Sequence, residues 1–293
     1  MKNIRIFLSI GIFTILGCST AYIAGLGDVR VGGLSVLFVC AVVAYGINWL
    51  AFFPSAIAQS ERFYDLVGAF TYFSVIGTAG VLSAPLDLRA IVAASMVFIW
   101  ALRLGSFLFT RIQADGHDRR FDQIKTHAGR FLTAWTLQAT WVILTSLGAL
   151  LVISTQNRMP IDIFFFLGAI LWVVGFAIEV IADAQKRAFR KDPKNKDTFI
   201  TSGLWAWSRH PNYFGEILLW IGVFVIALPI IRGPEWIVAV SPVFVAFLLL
   251  KVSGVPLLDK HALKKWGDDP AYCLLYTSPS PRDQRGSRMP SSA

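Results

Sequence analysis

The stretch IDIFFFLGAILWVVGFAIEVIA, residues 161–182, decides the class of fold. It has the roughly 20 apolar residues that an α-helix needs to cross a bilayer. An acidic residue, Glu179, lies near its end, and a strongly basic segment follows at 186–196. Because lipid satisfies no backbone polar group, such a run must form a helix or part of a closed barrel, and its length and continuity favour a helix.

Comparable apolar runs fill the rest of the chain, at residues 5–26, 33–53, 63–83, 89–110, 131–154, 214–231 and 236–252. Together with 161–182 they predict an all-α, polytopic transmembrane bundle of eight helices. Lys2 and Arg5 precede the first run, as in a secretory signal. That run has the length of a span, and no small-residue cleavage site follows it. Seven spans remain the alternative if the first run is cleaved or lies differently.

Composition indicates the same class of protein. The chain has 293 residues, of which 55% are hydrophobic and 15% are charged, and its mean hydropathy is +0.60. A soluble domain carries about 25% charged residues. We interpret residues 1–272 as a single membrane domain. The three cysteines and four histidines have no metal-ligand spacing, so we expect no metal site. A Gly-x-Gly-x-x-Gly motif after a strand is absent, and no strand pattern could carry one.

The positive residues indicate the orientation in the membrane. With a cytoplasmic N-terminus, the inside segments at 111–130 and 183–213 are strongly basic, whereas each outside loop carries one arginine. This asymmetry predicts eight spans with both ends in the cytoplasm. It also places most of the net charge of +9 on one face of the membrane. One interpretation is that these residues are only topology signals and contacts with anionic lipids; the other is that they face the phosphates of a charged cofactor. We expect no nucleic-acid partner.

Ionisable residues inside spans are costly and usually functional. Five stand out, and by depth all lie toward the predicted cytoplasmic side: Asp65, Arg103, Glu179, Asp183 and Glu216. They would line a cavity that opens to the cytoplasm between apolar helices. Such a cavity suits a charged cofactor that meets an apolar substrate. The alternative is that these residues pair with one another or extend to the interface, and only hold helices together.

The most specific motif is GLWAWSRHPNYFGE, residues 203–216. Pro211 can begin a helix, because its fixed φ suits the first turn. Arg209 and His210 precede that helix N-terminus, where an anion is favoured. The side chain of Asn212 has both a donor and an acceptor, which suits a carboxamide or a ribose edge.

With this motif the chain resembles the steroid 5α-reductase family, in its bacterial branch, over roughly residues 60–272. Three further stretches are similar to the family: 179–186 with an acidic pair, 103–120 with several arginines, and 252–261 at the start of the C-terminal segment. The resemblance implies an NADPH-dependent ene-reductase in a bacterial inner membrane. Such an enzyme reduces the C=C bond of an enone, for example a lipid-soluble 3-oxo-Δ4-steroid, by hydride transfer.

The resemblance also implies a set of site residues. Asn212 and Glu216 would lie near the nicotinamide, and Arg103, Arg111, Asp183 and Arg190 along the ribose and phosphates. The full set of implied cofactor-binding residues is Arg103, Arg111, Asp118, Arg120, Glu179, Asp183, Lys186, Arg190, Arg209, His210, Asn212, Tyr213, Glu216 and His261.

The chain departs from the family at the group that polarises the ketone. Trp100 stands where the animal enzymes have a tyrosine. For the acid we choose Asp65, with Glu61 and Tyr64 as alternatives. A carboxyl group must be protonated to donate a hydrogen bond, and burial would raise its pKa in that direction.

The composition of the chain changes after Tyr272. Residues 273–293 are rich in Ser, Pro and Arg, and we expect this segment to be non-native and disordered. The alternative enzyme is a membrane methyltransferase of the isoprenylcysteine carboxyl methyltransferase type, which uses S-adenosylmethionine and shares the Arg-His-Pro-x-Tyr motif. A transporter would predict inverted repeats, and the sequence has no internal repeat. The sequence leaves the oligomeric state open.

Overall fold

The structure is a computed structural model that describes residues 2–115, 118, 121–252 and 254–267. In this part of the chain, eight segments are long and apolar enough to cross a membrane. They are Ile4–Gly27, Val36–Ile57, Tyr64–Leu82, Leu88–Thr110, Ala128–Ser154, Ile163–Lys191, Pro211–Ile230 and Gly233–Val252. The prediction of an all-α protein with eight spans is confirmed, and the chain is a multi-pass integral membrane protein.

The described helices follow the chain in simple order. They are α1 Lys2–Ala24, α2 Val36–Ile57, α3 Tyr64–Leu82, α4 Leu88–Asp115, α5 Ala128–Ser154, α6 Ile163–Lys191, α7 Pro211–Ala227, α8 Val240–Phe247 and α9 Val255–Trp266. A 3₁₀ segment, Gly233–Ala239, leads into α8, and a π-helical segment, Leu248–Val252, follows it. These three segments form the last span. α6 continues past its predicted end at residue 182, so the first basic residues of the following segment are helical.

The chain forms two compact units. The first comprises residues 1–169 and 223–241, and the second comprises residues 170–222 and 242–293. In the first unit α5 packs against α1, α2, α3 and α4. In its apolar window 83% of the residues are buried, against 17% in the first span, so α5 is the central helix of this unit.

Polar side chains join the helices of the first unit. The hydroxyl of Tyr45 donates to the carbonyl of Phe13 at 2.9 Å and lies 3.0 Å from the hydroxyl of Thr140. The hydroxyl groups of Tyr72 and Thr145 also form a hydrogen bond. Hydrophobic burial contributes little to helix association inside lipid, so interhelical hydrogen bonds and close packing hold the bundle together.

A short β-hairpin connects α1 and α2, although the sequence pattern indicated no strand. β1 Arg30–Val31 pairs antiparallel with β2 Leu34–Ser35. Gly32 and Gly33 form the turn with φ of +59° and +85°, the left-handed backbone that a two-residue hairpin turn needs.

Two acids are buried beside this hairpin: Asp28 is 1% exposed and Glu235 is 4% exposed. Asp28 accepts a hydrogen bond from the N–H of Leu37, but burial dominates and raises its pKa to about 7. No pattern in the sequence indicated either acid.

In the second unit, two glycines let the backbones of α6 and α7 touch. A Cβ atom on Gly215 would lie 2.6 Å from the carbonyl oxygen of Gly175 and 2.7 Å from the backbone nitrogen of Glu179. Real Cβ atoms do not approach backbone atoms this closely, so only glycine permits the contact. Small residues serve this purpose between membrane helices generally. The contact places the start of α7 beside the acidic face of α6.

The C-terminal helix α9 docks on the segment that connects α6 and α7. The indole of Trp266 donates to the carbonyl of Asp197 at 2.8 Å, and Lys265 forms an ion pair with the Asp197 carboxylate at 3.2 Å. The rings of Phe199 and Trp266 meet edge to face, with their centroids 5.8 Å apart. These contacts hold α9 in place at its C-terminal end.

Candidate functional site

The start of α7 brings together several residues of the 203–216 motif. The helix begins at Pro211, as the sequence predicts. The amide nitrogen of Asn212 donates to the carboxylate of Asp183 on α6 at 3.2 Å. This bond orients the amide, and it leaves the amide oxygen of Asn212 buried. That oxygen has no hydrogen-bond partner within the described part of the chain.

His210, two positions before Asn212, also contacts a carboxylate from another helix and keeps one buried polar atom without a partner among the described residues. Its Nε2 lies 3.4 Å from the carboxylate of Asp259 on α9, and its ring stacks on Tyr213 with centroids 5.5 Å apart. Its Nδ1 is buried, and none of the described residues pairs with it. Burial lowers the pKa of His210 below its ordinary value, although the nearby Asp259 opposes this shift. At neutral pH the imidazole is therefore mostly uncharged.

The segment between α6 and α7 is fixed onto α6. The indole N–H of Trp205 donates to the carbonyl of Ala182 at 3.0 Å, and the N–H of Leu204 donates to Gln185 at 2.9 Å. Lys186 lies over the Trp205 ring, 4.6 Å from its centroid, in a cation–π contact. The same unit also carries Arg190 and Arg209, both exposed. The site therefore combines buried acceptors with several cations.

Two glutamates also belong to this unit. Glu179 on α6 is 3% exposed. The close contact at Gly215 brings its backbone against α7. Glu216, half-buried, is one turn into α7. Of the residues named from the sequence, Glu179, Asp183, Lys186, His210, Asn212, Tyr213 and Glu216 thus belong to the second unit, whereas Asp65 and Arg103 belong to the first.

The first unit contains the residues proposed for ketone polarisation. Glu61 is 5% exposed; its carboxylate accepts from Lys125 at 2.9 Å and from the backbone N–H of Asp118 at 3.0 Å. Burial raises the pKa of Glu61, but these hydrogen bonds outweigh it and hold the pKa below the ordinary value. An ionised, ion-paired carboxylate cannot donate a proton, so this geometry favours a structural role for Glu61.

Tyr64 is also engaged within the first unit. Its hydroxyl donates to the carbonyl of Ala134 at 2.9 Å, and its ring packs on Phe121 and Trp135 at 4.7 and 5.0 Å. Asp65 lies in the first turn of α3 and is half-buried. Of the three candidates for the acid, Asp65 stays the prediction. Trp100, the residue that replaces the family tyrosine, packs edge to face on Tyr72 at 5.2 Å.

The Glu61–Lys125 ion pair predicts a specific pH dependence of stability. Because the folded pKa of Glu61 is lowered, its carboxylate stabilises the fold above about pH 4.3, the ordinary glutamate value. This contribution is lost as pH falls through the folded pKa. Lys125→Met removes the main partner, so the folded pKa of Glu61 rises and less of this stability remains to be lost. We therefore expect the thermal midpoint of the variant to lie below that of the wild type near neutral pH and to fall less steeply on acidification. Midpoints measured in detergent from about pH 3 to 7 test this.

The matched control for this prediction is Lys265→Met, which removes an exposed ion pair with Asp197. Exposed pairs contribute about 0–1 kcal/mol. We therefore expect its thermal midpoint to fall with decreasing pH in the same way as the wild-type midpoint. The same pH dependence of the thermal midpoint in all three proteins would contradict the role given to Lys125.

The remaining predicted site residues belong to the first unit or have side chains outside the described part of the structure. Arg103, half-buried on α4, stacks over the ring of Phe107 at 5.4 Å. Asp118 contributes its backbone N–H to Glu61. Arg120 lies outside the described residues, and the side chains of Arg111 and His261 lie outside the described side chains. The predicted tail at 273–293 also lies outside this part of the chain.

Sequence reasoning missed two residues that the structure makes prominent. Asp259, the partner of His210, follows the motif by almost fifty positions, and no local pattern links the two. Arg89 was interpreted as a loop arginine, yet it is 2% exposed and forms an ion pair with Asp162 at 3.1 Å. Its position next to the predicted boundary of a span was the available signal.

A small cavity of about 120 Å³ lies elsewhere, in the first unit. Its lining residues are Tyr22, Gly25, Leu26, Arg30, Gly33, Leu34, Ser35 and Phe38. Of these, Arg30 alone is charged, so the cavity lacks the convergent polar groups that a nucleotide needs. Among the described residues, no group of three or more His, Cys, Asp or Glu side chains could hold a metal ion.

The fold and this polar cluster define a multi-pass membrane protein with buried polar groups at the N-terminus of one span. The chain belongs to the DUF1295 family, described as proteins of unknown function, whose sequence profile matches residues 51–277.

A curated relative matches part of the chain. The protein named "Probable O-methyltransferase ustE" from Ustilaginoidea virens is 39% identical over 100 residues. These residues are 33% of this chain and 32% of that protein, so the chain spans about a third of the relative's length. No solved structure matches the chain. Neither the family nor this relative is named as a steroid 5α-reductase, and that resemblance stays a prediction.

Proposed function

We propose that this protein is a membrane reductase that binds NADPH at the start of α7 and reduces the C=C bond of a lipid-soluble enone. The observation that carries the proposal is a pair of buried acceptors, the Asn212 amide oxygen and the His210 Nδ1, for which the described part of the chain supplies no donor. A buried polar atom without a partner destabilises a protein by about 1–3 kcal/mol. A ligand that donates N–H or O–H groups would satisfy both acceptors.

The charges around this cluster support a polyanionic ligand. Residues 183–216 contain seven Lys or Arg and four Asp or Glu, a net formal charge of +3. NADPH carries a diphosphate and a third phosphate group, and arginine and lysine bind phosphates well. S-adenosylmethionine carries a net positive charge at neutral pH, so the same field opposes it. Arg190 and Arg209, both exposed, are the side chains that we assign to the phosphates.

The chemistry divides between the cofactor and the chain. When bound, NADPH supplies the hydride. Asn212 and His210 would hold its donor groups, and Tyr213, whose ring stacks on His210, would keep that side chain in place. The substrate would arrive through the bilayer, since the apolar side chains of α6 are widely exposed, with Ile170 61% and Val173 57% accessible. Asp65 stays our prediction for the acid that polarises the ketone.

A methyltransferase is the second candidate, and the name of the Ustilaginoidea virens relative favours it. The bare acceptors at the start of α7 would also suit the ammonium group or the ribose of S-adenosylmethionine. The two candidates therefore differ in the charge of the cofactor and not in the place where it binds.

A titration with both cofactors separates the candidates. We expect NADPH, and not S-adenosylmethionine, to raise the thermal midpoint of the purified protein, because ligand binding to the folded state stabilises it. Asn212→Ala should weaken NADPH binding about tenfold, the loss of roughly one hydrogen bond. The matched control is Asn157→Ala, which removes an amide that donates to the carbonyl of Ile230 in the first unit.

Stabilisation by S-adenosylmethionine alone would reverse the ranking in favour of the methyltransferase. Incubation with progesterone or testosterone plus NADPH then tests the reaction. A product that has gained two hydrogens, detected by mass spectrometry, supports the reductase. NADPH binding without such a product would show that the proposed substrate class, the enones, is wrong.

A further inference from the structure

Asp259 on α9 faces His210 across the polar cluster, and the pair suggests a division of roles. The carboxylate can only accept hydrogen bonds, and it lies 3.4 Å from Nε2 of the imidazole. Nε2 therefore carries the proton. In a neutral imidazole the other nitrogen, Nδ1, is then an acceptor. This is the nitrogen that is buried and that lacks a partner among the described residues.

We propose that Asp259 is a positioning residue, which fixes His210 in the tautomer whose bare Nδ1 accepts a hydrogen bond from an N–H or O–H group of the bound cofactor. The inference rests on the proposed function, because it assigns an atom of the same site to the ligand. A carboxylate holds the catalytic or ligand-binding histidine in one tautomer in many enzymes.

A second residue of the cluster has the same arrangement. Asp183 takes the donor group of Asn212 and leaves its amide oxygen bare, just as Asp259 takes the donor group of His210. In both cases a carboxylate from a neighbouring helix turns a side chain with donor and acceptor groups into an acceptor. The shared result is a surface at the start of α7 that requires a ligand with donor groups.

Residues other than Asp259 also anchor α9. Trp266 and Lys265 hold the far end of α9 on the segment after α6, through the carbonyls of Asp197 and Lys196 and the carboxylate of Asp197. A change of Asp259 therefore leaves α9 anchored, and its effect on His210 can be measured in the folded protein.

The pH dependence of binding provides the readout. His210 faces Asp259 from α9, Lys186 from α6, and Arg209, which precedes it in the chain. Protonation of His210 turns Nδ1 into a donor, so cofactor affinity should fall as pH drops through the pKa of this residue. Asp259 raises that pKa while burial and the two cations lower it. Removing the carboxylate should therefore lower the pKa of His210. The loss of cofactor affinity on acidification, which we call the acid limb of binding, should then occur at lower pH.

The test measures the dissociation constant of the whole chain for NADPH in detergent, at pH values from neutral down through the pKa of His210. In Asp259→Asn, the new amide can donate to Nε2 and so stabilise the wrong tautomer. We expect affinity at neutral pH to fall about tenfold, the loss of roughly one hydrogen bond. We also expect the acid limb to move to lower pH. Asp259→Glu should restore both, because it restores the carboxylate.

The matched control is Asp197→Asn, which removes the same charge from a contact of α9 but does not face His210. We expect its affinity and acid limb to equal those of the wild type. Equal losses in both variants would mean that only the docking of α9 matters, and would overturn the inference. An unchanged acid limb in Asp259→Asn would also overturn the inference about Asp259, but it would not contradict NADPH binding. Failure of the wild type to bind NADPH would instead refute the proposed function itself.

Discussion

Gly215→Ala is expected to separate α6 from α7 and to abolish cofactor binding. The added Cβ would lie 2.6 Å from the carbonyl oxygen of Gly175 and 2.7 Å from the backbone nitrogen of Glu179. Both are backbone atoms of a helix, so no side chain can rotate to relieve the contact. Overpacking of this kind destabilises proteins by about 1–3 kcal/mol. We expect the upper end of that range, since two helix backbones must move.

The effect on binding follows from the same displacement. Asp183 orients the amide of Asn212 across the two helices at 3.2 Å, and a separation of a few tenths of an ångström breaks a hydrogen bond at this distance. We therefore expect the variant to lose NADPH binding more completely than Asn212→Ala, together with a lower thermal midpoint.

The control for this variant is Gly77→Ala in α3. A Cβ atom there meets no atom within 4 Å, and alanine favours a helix over glycine by up to about 1 kcal/mol. We expect unchanged binding and an equal or higher midpoint. Wild-type stability and binding in Gly215→Ala would show that the two helices do not need this close contact.

Arg89→Met is expected to cause the largest loss of stability in the first unit. The guanidinium is 2% exposed and pairs with Asp162 at 3.1 Å. It also donates to the carbonyls of Ile226 and Pro160 at 2.8 and 2.7 Å. It thus connects α4 with the segment before α6 and with the end of α7. Methionine fills a similar volume but leaves two carbonyls and a carboxylate without their donor.

Removing one partner of a buried ion pair destabilises proteins by about 3–5 kcal/mol. Asp162 is 31% exposed and can regain some water, so we expect about 3 kcal/mol, measured as a lowered midpoint in thermal or denaturant unfolding. Arg89→Lys should recover part of this loss, because a lysine keeps the charge but not the planar group with two donors.

Arg158→Met is the matched control. Arg158 is 30% exposed, lies 3.6 Å from Asp87, and donates to two carbonyls at the end of α5. We expect a loss of about 1 kcal/mol, because water can replace its contacts. Equal losses in Arg89→Met and Arg158→Met would mean that burial of the Arg89 pair contributes nothing of its own.

The sequence alone was sufficient for the eight spans and for the start of α7 at Pro211. The reason is that membrane crossing depends on the length of a local apolar run, and helix starts and turns depend on a few neighbouring residues.

The partners of the charged residues were decided only by the tertiary structure. Glu61, an alternative for the proton donor, is bound by Lys125, and Arg89 by Asp162. His210 faces Asp259, which no sequence motif indicated. In lipid both the packed and the exposed faces of a helix are apolar, so the pattern of residues does not reveal which side chains meet. That information arises only when helices distant in sequence pack together.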